Sequence, residues 1–242
     1  MSDKVILYDL ANRQATSWSP NPWKTRLALN FKGVEYTTEW VEYPDLAPKF
    51  KACGIPCNDP GAFADYSSPT VRFPDGTYVM DSAKIATKLE EVYPEPSLHL
   101  DSSPSDEAGE LVNNLVMALL PGVMPGIVTD ILQEPSASWF AEDRERRFGM
   151  KLDELAQKAG GEVGWQNAEP VLKKVKVMLQ EGKKDDGPFV LGSTPSYSDL
   201  IIVAFFECLH RISMDDYERL MRFDLSFKAL HEACKPWLEK DN

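Results

Sequence analysis

Histidine and cysteine are scarce in this chain: three His and four Cys in 242 residues. His99, His210 and His231 are far apart, and Cys53, Cys57, Cys208 and Cys234 add no metal-ligand spacing, which excludes a zinc site. Cys208 and Cys234 fall in helical patterns and read as small core hydrophobes. Cys53 and Cys57 flank Gly54-Ile55-Pro56, a spacing unlike that of redox pairs, and read as spare loop thiols. Cations are also in short supply, 26 Lys and Arg against 38 Asp and Glu, a net charge of −12. With no basic stripe to release counterions, nucleic acid and anionic membranes are excluded as partners. No apolar run approaches a membrane span, and Met1-Ser2-Asp3-Lys4 leads into a strand without the basic and apolar regions of a signal peptide. The expectation is a cytoplasmic protein, 43% apolar, long enough for two modest domains.

What is present is a distinctive segment. Ser68-Pro69-Thr70-Val71-Arg72-Phe73 and Thr77-Tyr78-Val79-Met80 are β-forming runs joined by Pro74-Asp75-Gly76, the pattern of a β-hairpin. Its ends must lie close together. The Ser68-Pro69 bond is a candidate cis peptide that would turn the Ser68 backbone outward, where it can pair with a peptide-like ligand. Asp81-Ser82 opens a helical pattern, so a carboxylate, a hydroxyl and free N–H groups face one spot. An ammonium beside a carboxylate fits there, as in the γ-glutamyl end of glutathione. The plain alternative is that Asp81 caps its helix.

Along the chain, Val5–Leu10 reads as a buried strand, Pro22–Phe31 as a helix stopped at Lys32-Gly33, and Glu35–Val41 as a second strand, a β-α-β unit. A short helix at Leu46–Ala52, the hairpin and a helix at Ser82–Val92 complete β-α-β-α-β-β-α. The Pro-, Ser- and Asp-rich stretch from Tyr93 to Ser105 is the best boundary, giving domains at 1–95 and 105–242. The second domain reads as all-helical: Glu107–Leu132, with Pro121-Gly122 and Pro125-Gly126 kinking or breaking it, then Ser138–Lys158, Glu169–Gln180, Ser198–His210, Met214–Met221 and Phe227–Lys240. Ser196 and Asp199 have capping-box spacing ahead of the apolar Leu200-Ile201-Ile202.

The hairpin with its Ser68-Pro69 and Asp81-Ser82 ends, and the Gly192-x-x-Pro195-Ser196-x-x-Asp199 cap, resemble the glutathione transferases. That resemblance implies an α/β thioredoxin-like N-terminal domain plus an all-α C-terminal domain, with glutathione as cosubstrate. It implies Ser68, Pro69, Asp81 and Ser82 as glutathione-binding residues. It also implies a homodimer. Ser19-Pro20-Asn21-Pro22-Trp23-Lys24-Thr25-Arg26 is similar to the active-site segment of Ser- and Cys-type members, where the catalytic residue lies seven positions before the arginine. Ser19 occupies that place, with Ser17 the runner-up and Asn21 orienting the sulfur or capping the helix.

Thiol chemistry needs the thiolate, and lowering a thiol pKa by two units takes about 2.7 kcal/mol, within reach of one hydroxyl and a helix N-terminus. A serine there favours addition to, or displacement on, hydrophobic aromatic electrophiles, as in detoxification. The Trp18–Trp23 and Trp40–Asp45 segments resemble the fungal transferases related to bacterial lignin β-etherases, which extends the expectation to β-aryl ethers. A non-catalytic ligandin that holds plant polyphenols in an apolar cleft, and a scaffold protein on the same fold, are the other readings. Met117–Met124, Trp139 and Phe140 are expected to wall the second-substrate site. The long Cys53–Ser67 link leaves the partner of the glycyl carboxylate open, Lys49 and Lys51 being the nearest cations.

Overall fold

The computed structural model describes residues 4–242; the first three residues of the expected leader-free start lie outside them. Four strands, β1 (Val5–Leu10), β2 (Tyr36–Val41), β3 (Thr70–Arg72) and β4 (Tyr78–Met80), form a sheet in the order β2-β1-β3-β4. β1 and β2 are parallel, with Val5 opposite Tyr36 and Leu10 opposite Val41. β3 runs antiparallel to β1 and β4, with Val71 paired to Leu7 and Val79. The Asp75-Gly76 turn closes as expected: Phe73 N donates to Thr77 O at 2.8 Å, and Gly76 takes φ +89°, a conformation glycine adopts without Cβ strain.

Around the sheet lie α1 (Pro20–Phe31), α2 (Leu46–Ala52, after a single 3-10 turn at Tyr43–Asp45) and α3 (Ser82–Val92). The order is the β-α-β-α-β-β-α read from the sequence. The helical half follows: α4 (Ser105–Gly126), a π-helical turn (Ile127–Ile131), α5 (Ser136–Phe148), α6 (Leu152–Ala159), α7 (Gly161–Gln180), α8 (Tyr197–Ile212), α9 (Met214–Phe223) and α10 (Leu225–Leu238). Among the described residues its only strand-like pairing is the isolated bridge between Phe189 and Gly192.

Three local expectations change. Of the kink or break expected at Pro121-Gly122 and Pro125-Gly126, the break is not found: α4 continues to Gly126 and passes into the π turn. The expected helix over Ser138–Lys158 is two helices, separated where Gly149 adopts φ +69° at the end of α5. α7 begins eight residues before Glu169. Its early glycines are there for contact: a Cβ at Gly164 would stand 2.7 Å from the Ala118 carbonyl, and one at Gly160 would stand 2.5 Å from Gly122 Cα. Small residues let the backbones of α4 and α7 approach.

The segment from Ser105 to Ile131 is, against the sequence expectation, long and apolar enough to cross a membrane, with mean hydropathy 1.7. In the fold it packs against α6, α7 and α8 as a core helix.

One apolar core spans both halves. Trp23 and Leu27 of α1, Ile85 and Leu89 of α3, and Val5, Leu7 and Val71 of the sheet share it with Leu200 to Phe206 of α8. A second joins Tyr8, Phe50 and Met80 to Met124, Ile127 and Phe140. The long 53–67 link is ordered by Asn58, which donates to Ala64 O at 2.9 Å and Ser67 Oγ at 3.0 Å. It reaches α5, where the guanidinium groups of Arg144 and Arg147 lie 4.8 and 4.2 Å from the centroid of the Phe63 ring. Arg147 also donates to Phe63 O at 2.6 Å, and both arginines pair with Asp143.

Candidate functional site

The site is assembled by two helix N-termini. α1 and α3 pack against each other, and Lys24 near the start of α1 feels the charge of Asp81 at the head of α3.

Ser19 occupies the N-cap of α1 with extended backbone angles, φ −86° and ψ 144°, yet its hydroxyl accepts no hydrogen bond from the helix. Pro22 removes one of the two N–H groups that an N-cap hydroxyl can accept, and the other, that of Asn21, is not used. Pro20 and Pro22 lack N–H groups, leaving Asn21 N–H as the orphan donor of the first turn, and Trp23 N is bonded to Ser19 O at 3.2 Å. Half-buried Ser19 thus keeps its hydroxyl free of protein partners. Ser17 is in the opposite condition. Its side chain is fully buried and its hydroxyl has no hydrogen-bond partner. Its main chain is pinned on both sides, N donating to Asp241 O at 2.7 Å and O accepting from Trp23 Nε1 at 3.1 Å.

Asn21 is exposed, and its Oδ1 accepts from Lys24 Nζ at 2.9 Å. Lys24 is 6% exposed, and burial draws its pKa down to about 8. Nothing in the sequence signalled this residue, because a lysine in a helix usually reaches water. Arg26, the landmark seven residues after Ser19, is fully buried. It is paired with Asp9 at 2.9 Å and donates to Thr38 Oγ1 at 3.1 Å and Asn242 O at 3.0 Å. It is a structural clamp between α1, β1, β2 and the chain's last residues.

The Ser68-Pro69 bond is cis. Ser68 Oγ donates to Tyr8 O at 3.0 Å, and Asp81 N donates to Pro69 O at 3.2 Å, so the two ends of the hairpin meet as the sequence implied. Asp81 has φ +88°, outside the usual range for a side chain with a Cβ. Its Oδ1 accepts from Ala83 N at 2.9 Å and Lys84 N at 3.1 Å. The capping role is therefore present, and Oδ2 stays free. Buried Ser82 gives its carbonyl to Tyr197 OH at 2.9 Å, tying this corner to α8, while its hydroxyl and N–H are unpartnered. Among the described residues, the one electrostatic link between this corner and α1 runs from Asp81 to Lys24.

The second-substrate wall is only partly as expected. Trp139 is half-exposed and stacks on Tyr43 with centroids 5.3 Å apart, but Phe140 and Met124 are core. Lys49 and Lys51 are engaged elsewhere, Lys49 with Glu39 and Lys51 over the Tyr66 ring. Among the described residues no His, Cys, Asp and Glu cluster could hold a metal. Cys208 and Cys234 are buried, their thiols pushed up by burial, and Cys53 and Cys57 are unpaired.

Comparison with known proteins places the chain in a family. The glutathione S-transferase N-terminal domain model matches residues 18–92 and the C-terminal domain model residues 109–237. The glutathione S-transferase-like protein ustS of Aspergillus flavus is 32% identical, covering 92% of this chain and 86% of its own. The crystal structure of glutathione transferase GSTFuA3 from Phanerochaete chrysosporium superposes with TM-score 0.86 at 28% identity over 98% of both chains. GSTFuA2 from that fungus gives 0.84 at 30% over the full length of both. A Ceriporiopsis subvermispora glutathione S-transferase solved in complex with glutathione gives 0.83 at 26% identity over 97% of both. The chain belongs to the glutathione S-transferase family, and its sequence and architecture are those of a fungal-type member.

Proposed function

We propose that the protein is a serine-type transferase in which Ser19 donates a hydrogen bond to the glutathione thiolate, for addition to or displacement on hydrophobic aromatic electrophiles, β-aryl ethers among them. The observation that supports this reading most is the unengaged Ser19 hydroxyl: it sits in cap geometry at a helix N-terminus but caps nothing. A hydroxyl donor and the positive end of α1 stabilise an anion selectively and lower the thiol pKa without touching the rest of the tripeptide. Ser17 is a weaker candidate, since its fully buried side chain must move to meet a ligand.

Glutathione is held in this reading by the backbone of Ser68 beside Pro69, by Asp81 and Ser82, and by Asn21 near the sulfur. The half-exposed Trp139 on Tyr43 is the aromatic surface offered to the electrophile. The working form is a cytoplasmic homodimer of domains 1–95 and 105–242, which its mass in solution checks. The test is conjugation of a chloronitrobenzene or an isothiocyanate followed across pH. Ser19→Ala should raise the apparent pKa of the bound thiol and lower turnover about 10–100-fold at neutral pH, a loss of about 1.4–2.7 kcal/mol. A shift in Ser17→Ala instead transfers the role to Ser17. Absence of any shift in both, with polyphenols displacing a fluorescent dye, makes the protein a ligandin.

A further inference from the structure

Lys24 presents an unbalanced charge. An ammonium has three N–H donors, and Lys24 spends one, on the neutral Oδ1 of Asn21. No carboxylate lies within ion-pairing distance among the described residues, although the side chain is almost wholly removed from water. A buried cation without an anion is costly, and the cost makes sense if an anion arrives. The elements packed on α1 narrow the choice. Asp9 on β1 is committed to Arg26, Glu207 on α8 to Arg211 and two histidines, and Arg211 faces Trp23 and Asp241. The one charged group that acts on Lys24 is Asp81 at the head of α3. Asp81 is itself half used, with Oδ1 capping α3 and Oδ2 unpartnered, and Ser82 beside it holds a free hydroxyl and N–H.

We propose that Lys24 is a ligand-binding residue, the counter-ion of the α-carboxylate of the γ-glutamyl group, with Ser82 as co-donor and the free oxygen of Asp81 on the adjacent α-ammonium. The inference rests on the glutathione reading above and adds to it a cation from the first helix. A zwitterion is then matched by a lysine and an aspartate that do not neutralise each other. Anion binding favours the charged ammonium. Because the free group titrates near 8, affinity should fall as pH rises above that value, with a proton taken up on binding.

The experiment compares S-methylglutathione, which has no thiol, with its γ-glutamyl α-carboxamide, by calorimetry on the full chain. Wild type should bind the carboxylate form at least tenfold more tightly, and in Lys24→Met that preference should shrink to the few-fold that the Ser82 donors alone supply. Lys24→Arg should retain the preference and show a shallower fall in affinity between pH 8 and 10, the part that remains coming from deprotonation of the ligand's own α-ammonium. Lys24→Met should also melt higher than wild type at neutral pH, because an uncompensated buried charge is gone. A Lys24→Met protein that still prefers the carboxylate form tenfold overturns the role of Lys24 and leaves the site where it is. Wild type that binds neither compound overturns the glutathione reading itself.

Discussion

Ser17 N–H donates to the carbonyl of Asp241 at 2.7 Å, joining the loop that carries the proposed catalytic serine to the far end of the chain. The link continues inward. Asp241 pairs with Arg211 at 2.9 Å, Arg211 lies over the Trp23 ring and donates to buried Glu207 at 2.7 Å, and Trp23 in turn holds Ser17 O. Deleting residues 239–242 should therefore lower turnover by about tenfold through misplacement of Ser19, with a smaller loss of glutathione affinity, because Ser68, Asp81 and Ser82 lie outside the loop that these residues hold. A deletion variant with wild-type turnover would show that the loop keeps its shape unaided.

Glu207 also makes an acid-stability prediction. Burial opposes its charge, but bonds from His210, His231 and Arg211 more than compensate, holding its pKa at about 2. A carboxylate depressed in the folded state stabilises above its unfolded pKa, near 4.5, and the contribution fades as pH falls from there toward 2. Wild type should lose on the order of 2 kcal/mol across that window from this group, and Glu207→Gln should be less stable than wild type at pH 7 but titrate more shallowly. Parallel curves of thermal midpoint against pH would refute this.

Asp199 accepts from Ser196 N at 2.8 Å, Ser196 Oγ at 2.7 Å and Val190 N at 2.7 Å, all buried. Asp199→Ala leaves these donors without a partner and should cost about 2–4 kcal/mol in urea unfolding. Activity of the protein that remains folded should be unchanged, since Asp199 bonds Val190 and Ser196 and none of the proposed site residues.

Gly164 tests the close approach of α4 and α7. Alanine is the better helix former by about 1 kcal/mol, but its methyl would meet the Ala118 carbonyl at 2.7 Å, so Gly164→Ala should destabilise by about 1–3 kcal/mol. A stabilised variant would mean that the helices separate freely.

The sequence was most legible where the signal is local. α3 runs from Ser82 to Val92 as read, because Asp81 caps it and a bonded Asp-Gly turn precedes it; the Ser196–Asp199 capping box also formed. It was least legible where a distant partner overrides propensity. Gly161, Gly164 and Pro170 disguised the start of α7, whose helix is justified by contact with α4. Gly149 sat inside an unbroken apolar period, so the end of α5 was read through. At the site, the family motif pointed to Ser19, Asp81 and Ser82, but Lys24 looked like any surface lysine. The hold of Asp241 and Asn242 on the Ser17 and Arg26 region comes from more than 200 residues away.

Phe63, gripped by Arg144 and Arg147 across the gap between the sheet-bearing half and α5, has a consequence for cooperativity. With two apolar cores already joining the halves, this further fastening leaves neither half free to melt first. Heat should then register as one calorimetric transition, with the enthalpy of the whole chain in it.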